Sequence, residues 1–169
     1  MGVLELIQQK AFLGKEFLTW LWHKAEAEGK VCPAGGKPVE IEMLSPMALD
    51  AQYGDTRNST LRGETPATSP EARTALIEGK KLSKVKLKWT REGTDWTVTL
   101  DGETLNVTGL TIPSPGRLPF EDQMSLRMQM VLEFEQILGQ LFETFLELRL
   151  DEKSWGLELE QIHEWVRAK

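Results

Sequence analysis

Apolar residues recur at helical spacing from the start of the chain. Leu4, Ile7, Ala11, Leu18 and Leu21 form one row, Phe17, Trp20 and Lys24 continue its neighbour, and together they predict a helix over 3–28. Gly14 interrupts it, as a bend or as a junction of two helices. Gly29, after "AEAE", supplies a C-cap, and "CPAGGKP" (32–38) is turn chemistry. From Val39 to Met43 apolar and acidic residues alternate strictly, as in a half-buried strand. Residues 45–67, rich in Ser, Pro, Thr, Gly and Asn, read as a loop with a short strand at 56–62. "TSPEARTALIEGKK" predicts a short helix over 69–79. Ser69 caps it, Pro70 takes the first helical position, Glu71 complements the dipole and Gly79 stops it.

Three strands follow: "SKVKLKWT", then "WTVTL" after the turn "REGTD", then "ETLNVTGL" after a two-residue Asp101-Gly102 hairpin turn. Val85, Leu87 and Trp89 share a face, as do Trp96, Val98 and Leu100, and Leu105 and Val107 continue it. The result is a β-meander with one apolar side. The proline-rich "TIPSPGRLPF" leads to a long helix over 120–150 with two apolar stripes. One holds Met124, Met128, Val131, Leu138, Phe142 and Phe145; the other holds Met130, Phe134, Ile137, Leu141 and Leu148. A terminal helix spans 154–167. The expected architecture is α+β in one domain, a small antiparallel sheet covered by the long helix with the aromatic N-terminal helix beside it.

The aromatic run "FLGKEFLTWLWHK" (12–24) is then mostly core, since Phe17 and Trp20 lie on the inward row. Trp22 falls off that row and is the residue expected to face a partner. The two stripes together are wider than a solvent-facing helix needs, so the second, Met130, Phe134, Ile137 and Leu141, is expected to bury against a second copy or a separate chain.

Composition narrows the classes. With 40% hydrophobic and 27% charged residues the chain is ordinary globular material, and charges break every apolar run before it could span a bilayer. Glu5 and Lys10 interrupt the stretch a signal peptide would need. The lone Cys32 cannot form an internal disulfide, so a cytoplasmic location is expected. The net charge of −6 hides a segregation: nine Lys/Arg face three acids between Arg57 and Arg91, whereas eleven acids face three bases between Glu121 and Glu164.

Catalytic chemistry is thinly represented. The two histidines, His23 and His163, belong to no metal-binding spacing, "AGGK" (34–37) lacks the Ser/Thr of a phosphate loop, and "EGK" (78–80) is a chance match to a nuclease fragment. No catalytic residue, metal, cofactor or small-molecule substrate is expected. The informative stretch is "GKKLSKVKLKW". Strand alternation puts Lys84, Lys86 and Lys88 on the solvent face, with Lys80 and Lys81 before them and Arg73 on the adjoining helix. Same-face positions lie roughly 6.6 Å apart, close to the phosphate repeat along one nucleic-acid strand. The plainer reading is a solvated face whose lysines blunt a sheet edge.

From residue 17 onward the order of elements resembles the C-terminal half of the recombination-associated RdgC family. The best match is "TSPEARTALIEGKKLSKVKLKWTREGTDWTVTLDGETLNVTGLTIP", followed by the long apolar helix, and "FLGKEFLTWLWHK" is similar to the aromatic segment that opens this half. The resemblance covers about 130 residues and is one of pattern. The family forms ring-shaped dimers around duplex DNA. For this half-length chain the resemblance implies a non-enzymatic, nucleoid-associated protein that binds duplex DNA without sequence preference and pairs with a second copy. It does not imply that the same ring closes. The implied DNA-contacting residues are Lys80, Lys81, Lys84, Lys86 and Lys88, with Arg57 and Arg62 as weaker additions. The family's N-terminal half has no counterpart in this sequence. A separate chain resembling that half is therefore a further expected partner, alongside a second copy.

Overall fold

The computed structural model describes residues 12–33, 35–51, 58–64, 66–114 and 116–168. Helix α1 (Phe12–Ala27) is followed by strands β1 (Lys30–Val31), β2 (Val39–Asp50) and β3 (Asn58–Leu61). A 3-10 turn (Pro66–Thr68) leads into helix α2 (Pro70–Ile77). Strands β4 (Lys81–Arg91), β5 (Thr94–Asp101) and β6 (Val107–Thr111) come next, then helices α3 (Phe120–Leu150) and α4 (Glu152–Ala168). The strands form one antiparallel sheet in the order β1-β2-β4-β5-β6, with β3 also paired to β2. This is an α+β fold, and the expected meander, β4-β5-β6, forms one end of its sheet.

Period-two alternation sends Val85, Leu87, Trp89, Trp96, Val98 and Leu100 inward, and all six are buried. Against them lie Phe17, Leu18 and Leu21 of α1 and Phe134, Ile137, Leu141 and Phe145 of α3, all equally buried. Trp89 stacks on Phe134 at 4.9 Å, and Phe17 meets the edge of Phe142 at 5.1 Å. Burying side chains of this size contributes about 1.5–3 kcal/mol each, so these rows carry most of the driving force.

Helix α2 starts and stops as its sequence predicts. The Ser69 Oγ accepts from the Ala72 amide at 3.1 Å, and Pro70 opens the helix. Gly79 takes a left-handed φ of 83°, while the Gly79 and Lys80 amides bond back to Leu76 and Ala75.

Three expectations change. The predicted loop from residue 45 is strand as far as Asp50. Pro46 is tolerated because it falls at a register shift between Leu44 and Met47, where no ladder bond requires its nitrogen. The tight hairpin turn lies at Glu92-Gly93, where φ values of 53° and 75° give the doubly left-handed geometry such turns require. Asp101-Gly102 instead opens a longer connection, in which Leu105 donates to the Asp101 carbonyl at 2.8 Å and β6 begins only at Val107.

The cause of this last change is tertiary. Helix α1 runs unbroken through Gly14, and a Cβ placed there would lie 1.9 Å from the Gly102 carbonyl oxygen. Glycine permits helix and turn to touch backbone to backbone, with the Gly102 amide bonded to the Ser83 carbonyl beneath at 2.6 Å. The segment 3–11 of the predicted first helix lies outside the described residues.

The last helix is tied to the first by indole–carboxylate bonds. Trp20 Nε1 and Lys24 Nζ both donate to Glu158, each at 3.2 Å. Glu26 accepts from Trp22 at 2.7 Å and from Trp165 at 3.1 Å.

Candidate nucleic-acid interface

The sheet face opposite the helices carries the alternate residues of β2, β4 and β5. Lys88 stands between Glu42 and Thr97, Lys86 between Leu44 and Thr99, and Lys84 between Ala48 and Asp101. On β6, Thr111 pairs with Thr97 and Thr108 with Thr99, so four threonine hydroxyls border the lysines. Two of them, Thr97 and Thr99, were readable in "WTVTL", whose alternation sets them outward.

Acids share the same face. Glu42 holds Lys88 at 3.1 Å and raises its ammonium pKa above the ordinary lysine value, with Asp95 and Glu40 acting in the same direction. That end of the ladder is therefore charge-compensated. Lys84 and Lys86 have no ion pair among the described residues, although Asp101 lies directly across from Lys84.

The remaining cations of the predicted surface do not join them. Lys80 is 5% exposed, which removes it from any phosphate-contacting role. The left-handed Gly79 turns the chain back, so that the Lys80 ammonium bonds Ser59 Oγ at 2.7 Å and Glu78 at 3.2 Å. Lys81 is half-exposed but faces α1, where it pairs with Glu16 at 3.2 Å. Arg73 is exposed on α2 and donates to the Arg167 carbonyl at 3.3 Å, away from the ladder. Arg62 is exposed beside Glu64 and Glu71 in a shallow loop cleft. Arg57 lies outside the described residues.

The predicted partner surface requires correction. Trp22 is fully buried, because α4 packs Trp165 edge-on against it at 5.4 Å. Phe134, Ile137 and Leu141 are also buried, beneath α3 on the sheet of this same chain, and Met130 is half-buried with its carbonyl accepting from Trp96 Nε1 at 3.1 Å. The uncovered apolar side chains lie in the helix's first half, before Phe134. Phe120 (76% exposed), Met124, Met128 (63%), Val131 and Leu132 stand open, and Leu118 in the preceding loop adds to them.

His23 is buried, and its Nδ1 has no hydrogen-bond partner among the described residues. Burial, then the adjacent Lys24 charge, push its pKa below the ordinary histidine value against the opposing pull of Glu158, Glu28 and Glu26. The unfolded chain therefore takes up the proton first. Stability is complete above the unfolded pKa of ~6.5 and declines as pH falls from there toward the lower folded-state value. Thermal melts between about pH 7.5 and 5.5 should show this decline, and His23→Phe should flatten it. An equally steep profile in His23→Phe would assign the effect to another group.

Among the described residues no three His, Cys, Asp or Glu side chains are grouped to hold a metal ion, and no helix is long and apolar enough to cross a membrane. Compared with known protein families and with curated proteins, the chain matches none.

Proposed function

We propose that this chain is a non-enzymatic module that holds duplex DNA by sequence-independent phosphate contact, in the manner of the RdgC-like proteins it resembles, and that it acts in the cytoplasm at the nucleoid. The observation that carries the reading is the outer sheet face. There Lys84 and Lys86 make no ion pair among the described residues and stand amid Thr97, Thr99 and Thr108, while the helices close the opposite side. Lysine supplies charge and threonine supplies neutral donors, and both position a phosphate backbone without reading bases. The compensated Lys88 and the nearby Asp101 keep single-copy affinity low. The test is the salt dependence of duplex binding with Lys84 and Lys86 intact and then charge-reversed.

A second reading, an interaction module, rests on the open half of α3. Phe120, Met124, Met128 and Leu132 are open there, and exposed apolar side chains clustered on one helix mark an interaction surface. The occupant this stripe fits is a second copy. In an antiparallel pair centred on Met124, Phe120 meets Met128 of the other copy and Glu121 meets its Arg127, so apolar and charged rows match together. Sedimentation should show a dimer at micromolar concentration that Met124→Glu with Met128→Glu converts to a folded monomer. A monomer that associates only with a separate chain resembling the family's N-terminal half would replace self-pairing by that partner. The two readings are compatible, since a dimer presents two lysine faces to one duplex.

A further inference from the structure

On the helix side of the sheet an open cleft of about 440 Å³ lies between α1, α2 and α4, with Lys81 at the start of β4 and Arg149 near the end of α3 completing its lining. That lies within the ~300–1,000 Å³ of small-molecule sites. Its walls are mainly apolar, from Leu76, Trp155, Leu159, Ile162 and Val166. One end is different. There Glu16 accepts from Lys81 Nζ at 3.2 Å through one oxygen and from Arg149 Nε at 2.8 Å through the other. Among the side chains lining the cleft, two cations thus share one carboxylate, an excess of positive charge at this end. Asp50, across the strand pair from Lys81, is taken up by Lys15 at 2.9 Å. The neighbouring Lys80 is already balanced by Glu78, and His163 is a further lining residue. Arg149 spends only Nε on Glu16, and its terminal N–H groups have no acceptor among the described residues. Its guanidinium lies 5.2 Å from the Trp155 ring centroid, which holds the fork at the cleft wall.

We infer that this cleft binds a small amphiphile with an apolar body and a single carboxylate head, of the medium-chain fatty acid class. The head takes the free edge of Arg149 in charge-assisted hydrogen bonds, and the chain lies along Leu76, Ile162 and Val166. An inorganic anion would leave those walls wet, and a neutral apolar molecule would leave the cationic excess unanswered. Glu16 stays in place as the anchor that orients both cations.

Calorimetric titration with decanoate, decanol and decylamine, each below its micelle concentration, tests the assignment. Decanoate should saturate at one per chain and raise Tm, decanol should bind at least about tenfold more weakly, and decylamine should not bind. Leu159→Glu, which places a carboxylate at the exposed mouth, should weaken decanoate by about tenfold or more. Should that variant fold poorly, decanoate must still shift the Trp155 indole N–H resonance of the unmutated protein. Absence of saturable binding up to about 1 mM overturns the site. Equal affinity for decanoate and decanol overturns its anionic selectivity, and an unmoved Trp155 resonance overturns its location. None of these outcomes depends on DNA binding or on association through α3.

Discussion

Replacing Trp20 by alanine should cost about 3–5 kcal/mol of stability, the range for deleting a buried aromatic side chain. Trp20 is almost wholly buried, stacked on Phe17 at 6.3 Å and tilted against Phe145 at 5.8 Å. Its loss opens a cavity at the meeting of α1, α3 and α4. It also removes one of the two donors to Glu158, leaving that carboxylate, 14% exposed, with Lys24 alone. Chemical denaturation should therefore show a much lower midpoint. Trp22→Ala belongs to the same class, because Trp22 is buried against Trp165. An unchanged midpoint for Trp20→Ala would mean that the aromatic helix is not core.

Charge reversal of Lys84 and Lys86 to glutamate should leave the fold intact and abolish duplex DNA binding. Both side chains point away from the core, and a phosphate-contacting position tolerates only another positive charge. In the unmutated protein the slope of log affinity against log salt should be about −0.9 for each phosphate neutralised. Two unpaired lysines give about −1.8 per copy and about −3.6 for a dimer that engages both faces. Glu42→Gln makes the opposite change. By releasing Lys88 it should strengthen binding and steepen the slope by about 0.9 per copy. Preference among duplex sequences should be slight. A protein that remains dimeric yet binds no DNA at low salt would leave the interaction module as its function.

Local signals were legible wherever local physics decides. Alternation in "SKVKLKWT" and "WTVTL" gave β4 and β5 with the correct faces, and Ser69, Pro70 and Gly79 bounded α2 as their chemistry requires. The tight turn was less legible because Glu92-Gly93 and Asp101-Gly102 look alike in sequence. Only the helix lying on Gly102 separates them. Lys80 reads as one more surface cation, and its burial follows from the backward turn at Gly79. The stripes of α3 were correct in position but not in partner. Along this 31-residue helix Phe120, Met124, Met128, Val131 and Leu132 stay exposed, and burial against the sheet begins only at Phe134. The α1–α2–α4 cleft could not be foreseen, since it joins Glu16, Lys81 and Arg149 from three distant segments.

The contact between Gly14 and Gly102 is a hard stop for the space above the sheet. Main-chain atoms already touch there, so α1 cannot settle closer when the side chains behind it are trimmed. Leu18, whose Cδ1 approaches the same turn, is held at a separation that backbone atoms set. A shortened side chain at Leu18 or Leu82 therefore leaves a void that the helix cannot close by moving inward. Losses at these positions belong at the unrelaxed end of the cavity scale. The same rigid spacing gives the lysine face on the far side of the sheet a firm backing.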